Sequence, residues 1–254
     1  MRFDEFDQFT RKLCTETEKI ILRYFDSSEL EIESKGDDTP VTIADRESEK
    51  TIREAIETLY PEHGIIGEEF DDKAAQSEYT WVLDPIDGTK TFVAGNPMFG
   101  TMIALLKNGD PIYGCINYPA IGKRISGDCQ NAYCNGEKVT ARQGVSLENA
   151  VVLVTDHFSV AEHQNGDAFH KLASQAKFVR TWGDCYGYLL LCLGRADVML
   201  DPIMNPWDIM ALIPIVRGSG AAISDWQGKD PSKGESIIAA NLDIHSKVVA
   251  QLNP

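Results

Sequence analysis

The sequence predicts a mixed α/β fold, built as one large domain or as two fused lobes, and three observations carry that expectation. Two early stretches place apolar residues at three- and four-residue steps, the spacing of amphipathic helices. Short apolar runs such as Trp81–Leu83 and Val151–Val154 read as buried strands. Between Ala141 and Glu148 the composition turns polar before a new buried run begins, which sets a boundary between an N-terminal part, 1–143, and a C-terminal part, 144–254. With 254 residues, 43% of them hydrophobic, the chain is long enough to bury a full core.

The elements follow in order. Phe3, Phe6, Phe9, Leu13, Ile20 and Tyr24 give residues 3–25 one apolar face, so a packing helix is expected there. Ile32 to Pro40 is polar and turn-rich and leads into a second helix from about Val41 to Tyr60, whose stripe is Ile52, Ile56 and Leu59. Thr42 followed by Asp45 has the form of a capping box, and this alone would account for Asp45. Gly64 to Phe70 reads as a short strand ending in paired acids. Phe99–Leu106 and Ile112–Tyr118, joined by Asn108-Gly109-Asp110, read as a hairpin. Beyond the boundary come a helix near 165–176, a helix ending at Gly194, a strand at Asp197–Asp201 and a helix opened by Asn205-Pro206-Trp207-Asp208. Pro214 is expected to kink or divide that last helix. Two strands, near 221–224 and 237–240, and a terminal helix complete the chain.

Composition excludes several classes of function. The net charge of -15, from 24 basic and 39 acidic residues, argues against nucleic acid or an anionic membrane as partner. No apolar run reaches the ~18 residues of a membrane span, and Met1–Glu5 has no signal-peptide pattern, so the expected location is cytoplasmic. The 6 cysteines lack C-x-x-C spacing, which points to free thiols rather than a zinc knuckle or a disulfide framework. There is neither a P-loop nor an evident Ser-His-Asp arrangement, and the five histidines lie far in sequence from the acids of interest.

The chemistry concentrates in Asp84-Pro85-Ile86-Asp87-Gly88-Thr89. Pro85 is expected to end the strand at Leu83, leaving Asp84 and Asp87 on a turn at its carboxyl end. Carboxylates held this close repel one another unless a cation or a proton lies between them. Mg²⁺ suits the pair, because it takes oxygen ligands and keeps positions for water and phosphate. An ordinary Asp-Pro turn followed by an Asp-Gly turn is the competing account. Glu68 and Asp208 are further acids at element ends. If all four converge, they can serve two or three metal ions in a phosphate-ester hydrolysis.

Gly67-Glu68-Glu69, Asp84-Pro85-Ile86-Asp87-Gly88-Thr89 and Trp207-Asp208, in this order and at these separations, resemble the signature motifs of the inositol monophosphatase family of Mg²⁺-dependent, lithium-sensitive phosphatases. The resemblance implies a layered αβαβα sandwich, with an α+β N-terminal lobe, an α/β C-terminal lobe and the site between them. It implies that Glu68, Asp84, the Ile86 carbonyl, Asp87 and Asp208 hold metal. Asp45 and Thr89, with Glu68, would carry catalysis by orienting and deprotonating water. The Gly88 and Thr89 amides, at a helix start, would receive phosphate oxygens. Lys35 resembles a family lysine near a third metal, and the family suggests a homodimer.

The flanks Gly67–Phe70, Thr89-Lys90-Thr91-Phe92, Phe99-Gly100-Thr101, Arg180 with Gly183–Tyr188, and Asp201 with Asn205–Asp208 resemble the histidinol-phosphate phosphatase branch. By that resemblance Asp87, Gly88, Thr89, Lys90, Arg180, Asp184, Asp201, Asn205 and Asp208 bind substrate. Histidinol phosphate brings an ammonium and an imidazole, which carboxylates such as Asp184 and Asp201, with Asn205 as a neutral partner, recognise better than they recognise a neutral polyol. Asp184 is equally readable as a helix N-cap ahead of Tyr186, and Arg180 as a partner of surface acids. The alternatives are an inositol, sugar or nucleotide phosphatase and a non-catalytic phosphate-metabolite-binding protein.

Overall fold

A computed structural model describes residues 1–25, 27, 32–34 and 40–254. The chain opens with α1 (Phe3–Tyr24), a ribbon of β1 (Ile32–Ser34) and β2 (Pro40–Thr42), and α2 (Ile43–Leu59). Next come β3 (Gly64–Gly67), β4 (Tyr79–Asp87), the short α3 (Thr89–Val93), β5 (Gly100–Lys107), β6 (Asp110–Tyr118), β7 (Lys123–Gly127), β8 (Ala132–Cys134) and β9 (Glu137–Val139). The remainder is β10 (Val151–Val154), α4 (Ser159–His163), α5 (Gly166–Gln175), β11 (Phe178–Arg180), α6 (Asp184–Cys192), β12 (Val198–Asp201), α7 (Pro206–Met210), α8 (Leu212–Gly218), β13 (Ala221–Ser224), β14 (Ile237–Asn241) and α9 (His245–Leu252). Lys35 lies outside the described residues.

The strands form two large sheets. β3 to β9 make a seven-stranded sheet in chain order, and a five-stranded sheet runs β11-β10-β12-β14-β13. In the second, β10 is parallel to both β11 and β12, so the carboxyl ends of these three strands share one edge.

Period-two alternation explains the layering. On β4 and β5, Trp81, Leu83, Ile103 and Leu105 face α1 and α2, where Phe6, Leu13, Ile52 and Ile56 cover them. The alternate residues Val82, Met102 and Ala104 face α6 and α8, through Leu189, Leu191, Leu212 and Ile215, and beyond these the inner face of the second sheet, with Leu153, Met199 and Ala239. The outer face of that sheet presents Val152, Val154, Leu200 and Ile238 to Phe169 and Leu172 of α5 and Val248 and Leu252 of α9. The order is helix, sheet, helix, sheet, helix, the αβαβα sandwich that the resemblance implies. Burial on both faces is why β10 reads as an unbroken apolar run.

One local expectation is met and another changes. The helix opened by Asn205 is divided at Ala211, three residues before Pro214, which sits in the first turn of α8. There its missing N–H leaves no intrahelical bond to break. The change, at Pro85, shapes the site and is described below.

The α7/α8 junction packs so closely on the first sheet that β6 needs a glycine there. A Cβ on Gly114 would stand 2.1 Å from the Ala211 carbonyl oxygen. Gly114→Ala must therefore push the helical layer off the sheet, at a cost of about 1–3 kcal/mol. A lower midpoint in urea unfolding with an unchanged slope is the expected result.

Candidate active site

β4 does not end before Pro85. It continues to Asp87 with a bulge: Asp84 pairs with Met102 and Asp87 with Gly100, so Pro85 and Ile86 together stand opposite Thr101. Proline cannot donate to the ladder, and the bulge is the arrangement that tolerates it within a sheet. Thr101 Oγ1 donates to the Pro85 carbonyl at 2.8 Å and fixes the bulge. Gly88 then turns the chain with φ of 84° and caps α3, whose first residue is Thr89. The bulge, rather than a free turn, sets where Asp84 and Asp87 point.

Three acids converge. One carboxylate oxygen from each of Asp84, Asp87 and Asp208 lies within 4.8 Å of the others. Asp208 reaches the group from the start of α7, where its Oδ2 accepts the Asn205 N–H at 2.8 Å. Asp87 is also fixed from the far side, because the Cys185 N–H at the start of α6 donates to its Oδ2 at 2.5 Å. Asp84 is buried and its Oδ1 has no hydrogen-bond partner. Burial, with Glu68, Asp87, Asp208 and Asp45 nearby, pushes the Asp84 carboxyl well above the usual range. Burial likewise raises Asp87, and it lifts Asp208 to about 7.

Asp45 satisfies its capping-box reading with one carboxylate oxygen and leaves the other over. Its Oδ2 accepts the Thr42 N–H at 2.8 Å, completing the capping box of α2. Its buried Oδ1 has no partner. Burial lifts its carboxyl to about 7, opposed by the bonds from Thr42 and reinforced by Glu69 and Glu68. No direct Asp45 to Thr89 hydrogen bond is formed: Thr89 Oγ1 donates instead to the Ile86 carbonyl at 3.0 Å.

The second sheet supplies a neighbouring acidic wall. Asp184 is the first residue of α6 and Gly183 its cap, so the N-cap reading of Asp184 does not hold. Its Oδ2 accepts the Thr91 hydroxyl at 2.9 Å, and its N–H donates to Thr155 Oγ1 at 2.9 Å. A Cβ on Gly88 would lie 2.9 Å from that same Oδ2, which places Asp184 against the Gly88 turn. Burial raises its carboxyl, while the Thr91 hydroxyl and Lys90 oppose. Asp201, buried at the end of β12, accepts the Tyr188 hydroxyl at 2.7 Å and is lifted by burial to about 7.

Asn205 is exposed at the start of α7 and joins the group through the reciprocal capping box with Asp208. Arg180 is exposed too. Its Nη1 donates to the Val179 carbonyl at 2.7 Å, and its guanidinium lies 5.1 Å from the centre of the Phe178 ring. Among the described residues it forms no ion pair, so neither a surface acid nor the acidic wall holds it. Sequence reasoning gave no role to Thr155 or Tyr188. Thr155 follows a parallel strand at its carboxyl end, the position where α/β sheets gather their sites, and that was the available signal.

The fold is of the layered α/β class, and its acids gather at strand and helix ends beside a glycine turn, a donor set suited to a divalent cation. The pattern of the inositol monophosphatase family matches residues 3–254. A histidinol-phosphatase of Chlorobaculum parvum is 37% identical, over 96% of this chain and 95% of its own. A chloroplastic bifunctional phosphatase of Arabidopsis thaliana is 36% identical, over 98% of this chain and 75% of its own. The structure of an inositol monophosphatase from Zymomonas mobilis superposes with a TM-score of 0.89 at 31% identity, and each chain covers 100% of the other. The chain belongs to the inositol monophosphatase family and is a phosphatase.

The raised carboxyls of Asp45, Asp201 and Asp208 set a pH dependence. Their folded-state affinity for protons, near pH 7, exceeds that of unfolded aspartate, near 3.8, so folding takes up protons between these values. The stabilisation is complete below the unfolded range and is lost as pH rises through about 7. With a chelator present, the melting temperature is expected to rise as pH falls from about 8 to about 6.5. A flat or falling curve would contradict this electrostatic picture.

Proposed function

We propose that this chain is a Mg²⁺-dependent phosphomonoesterase that hydrolyses L-histidinol phosphate to L-histidinol and phosphate, as a step of histidine biosynthesis. The observation that carries the reading is a pair of carboxylates, the buried Asp201 and the half-buried Asp184, set beside the cluster of three acids. A neutral polyol gives such a wall nothing to neutralise, whereas a substrate with an ammonium and an imidazole does. The histidinol-phosphatase name of the Chlorobaculum parvum relative supports the same choice.

The donor set fits a hard divalent cation. It is all oxygen, and the buried Asp84 Oδ1 and Asp45 Oδ1 are acceptors without hydrogen bonds. In this reading Glu68, Asp84, the Ile86 carbonyl, Asp87 and Asp208 hold two or three Mg²⁺ ions. Bound Mg²⁺ supplies charge neutralisation at the phosphoryl oxygens and a more acidic water. The Gly88 and Thr89 amides orient the phosphate, with Lys90 at the rim. Asp45, Thr89 and Glu68 position the attacking water. Asp45 takes its proton at Oδ1, which a carboxyl lifted to about 7 both accepts and releases near neutrality. Asp184 and Asp201 face the cationic alcohol, and Arg180 and Asn205 stand at the outer edge of the same pocket.

The reading also includes a cytoplasmic homodimer whose N-terminal lobe ends at about residue 143. Among the described residues no helix is long and apolar enough to cross a membrane. The inositol phosphate alternative is favoured by the Zymomonas mobilis enzyme, an inositol monophosphatase by name.

A substrate panel decides between them. We expect kcat/KM on histidinol phosphate to exceed that on inositol 1-phosphate by about 10²-fold or more, since each mismatched carboxylate costs on the order of 1–3 kcal/mol. Equal or better turnover of inositol 1-phosphate would sink the substrate assignment.

Asp87→Asn tests the ligand assignment separately. The amide retains an oxygen for the Cys185 N–H but loses the charge, so α6 stays capped while metal binding weakens. Turnover is expected to fall by about 10–100-fold or more with the circular dichroism spectrum unchanged. Near-normal activity at saturating Mg²⁺ would refute Asp87 as a ligand.

A further inference from the structure

Three charged residues follow one another at single-turn intervals along α2: Asp45, Glu49 and Arg53. The first belongs to the candidate site. Glu49 and Arg53 instead engage the backbone that carries Glu68. Glu49 is fully buried, which is costly for a carboxylate unless it is paired and hydrogen-bonded. Both of its oxygens are engaged: Oε1 accepts Arg53 Nε at 2.7 Å, and Oε2 accepts the Glu69 N–H at 2.8 Å. Arg53 uses its two terminal nitrogens on the next carbonyls along, Nη2 on Phe70 and Nη1 on Asp71, each at 3.0 Å. On the other side of Glu68 the chain rests directly on this pair. A Cβ on Gly67 would stand 2.0 Å from Glu49 Oε1 and 2.6 Å from Arg53 Nη2.

Glu68 is thus held between two fixed neighbours. The hold opposes a definite force, because Glu68 is repelled by Asp84, Asp45 and Asp208. A loop of five residues at the end of a four-residue strand would relieve that repulsion by swinging outward if its peptide groups were bonded only to water. Glu49 alone would worsen the repulsion by adding another negative charge. The Arg53 guanidinium cancels that charge and supplies the second and third bonds to the loop.

We propose that Glu49 and Arg53 are positioning residues for metal binding: by clamping the Gly67–Asp71 backbone from α2 they hold Glu68 beside the acid cluster and so set the affinity for the divalent cation. The proposal rests on the reading above that Glu68 is a metal ligand. It requires the carboxylate of Glu49 and the fork of Arg53, not only their volume. A glutamine at 49 has one acceptor oxygen for two donors, so either the Arg53 or the Glu69 bond is lost. A lysine at 53 keeps the charge but cannot span Glu49 and two carbonyls.

The test is a calorimetric Mg²⁺ titration of the full chain, with melting temperatures taken in chelator, for wild type, Glu49→Gln, Arg53→Lys, Gly67→Ala and Asp84→Asn. Glu49→Gln and Gly67→Ala are expected to weaken Mg²⁺ binding by about 10–100-fold, and Arg53→Lys by less. In each, kcat recovers towards the wild-type value once Mg²⁺ is saturating. A lower melting temperature in chelator with Mg²⁺ affinity within about twofold of wild type would show a purely structural role and overturn the proposal. If Glu49→Gln does not fold, the milder Arg53→Lys decides by the same criterion. Asp84→Asn separates the two levels. Loss of Mg²⁺ binding there, with Glu49→Gln unaffected, refutes the clamp alone, whereas full binding in Asp84→Asn refutes the metal site itself.

Discussion

Mutual repulsion among buried carboxylates is the constraint around which this structure is arranged. Asp84, Asp87 and Asp208 present oxygens within 4.8 Å of one another, with Asp45 and Glu68 adding to the same field. A fold can keep such a group together only if each acid is fixed by something other than its neighbours. Three of the acids are fixed by backbone N–H groups. Asp45 is tied to the Thr42 N–H, Asp208 to the Asn205 N–H and Asp87 to the Cys185 N–H, at the starts of α2, α7 and α6. Helix starts suit this task, since they offer unpaired N–H groups and a partial positive charge. The local capping chemistry that makes each helix begin is also what aims the acids inward.

That double use explains which parts of the site could be read from sequence. The Thr42/Asp45 and Asn205/Asp208 spacings are helix-start patterns in their own right, so both acids were visible, and so was the motif from Asp84 to Thr89. The helices α1, α2 and α5 and the central strands were visible through their periodicity. Less visible was anything that depends on a partner distant in sequence. The Pro85 bulge is held by Thr101, across the sheet, and nothing within Asp84–Asp87 announces it. Asp184 looked like an N-cap because its neighbours are those of a helix start. Its bond to Thr91 crosses from one half of the chain to the other. Glu49 and Arg53 had the right spacing to be noticed, but an acid and a base four residues apart on a helix are ordinarily a surface pair. Only burial reveals otherwise.

The surroundings of Arg180 were likewise not legible in the sequence. A cation near a phosphate site is attractive in sequence, but its strand lies at the edge of the five-stranded sheet. There the side chain lies over Phe178 instead of meeting an acid. Edge strands leave one side open to solvent, so their long side chains are not directed by packing in the way those of β10 and β12 are.

The acid cluster and the neighbouring wall are not independent pockets. Asp87 belongs to the first and caps α6, whose first residue is Asp184 of the second; Asp184 in turn holds Thr91 on α3, the helix that begins at the Gly88 turn. A closed circuit results, running from β4 through α6 to α3 and back to β4. Moving Asp184 would displace the cap on Asp87 and the helix behind Gly88 together, because packed elements shift as units rather than deforming locally. If Asp184 selects the alcohol and the Gly88 turn holds the phosphate, as proposed above, the two functions are mechanically joined. A substitution at position 184 would then also change how the acids around Asp84 are held.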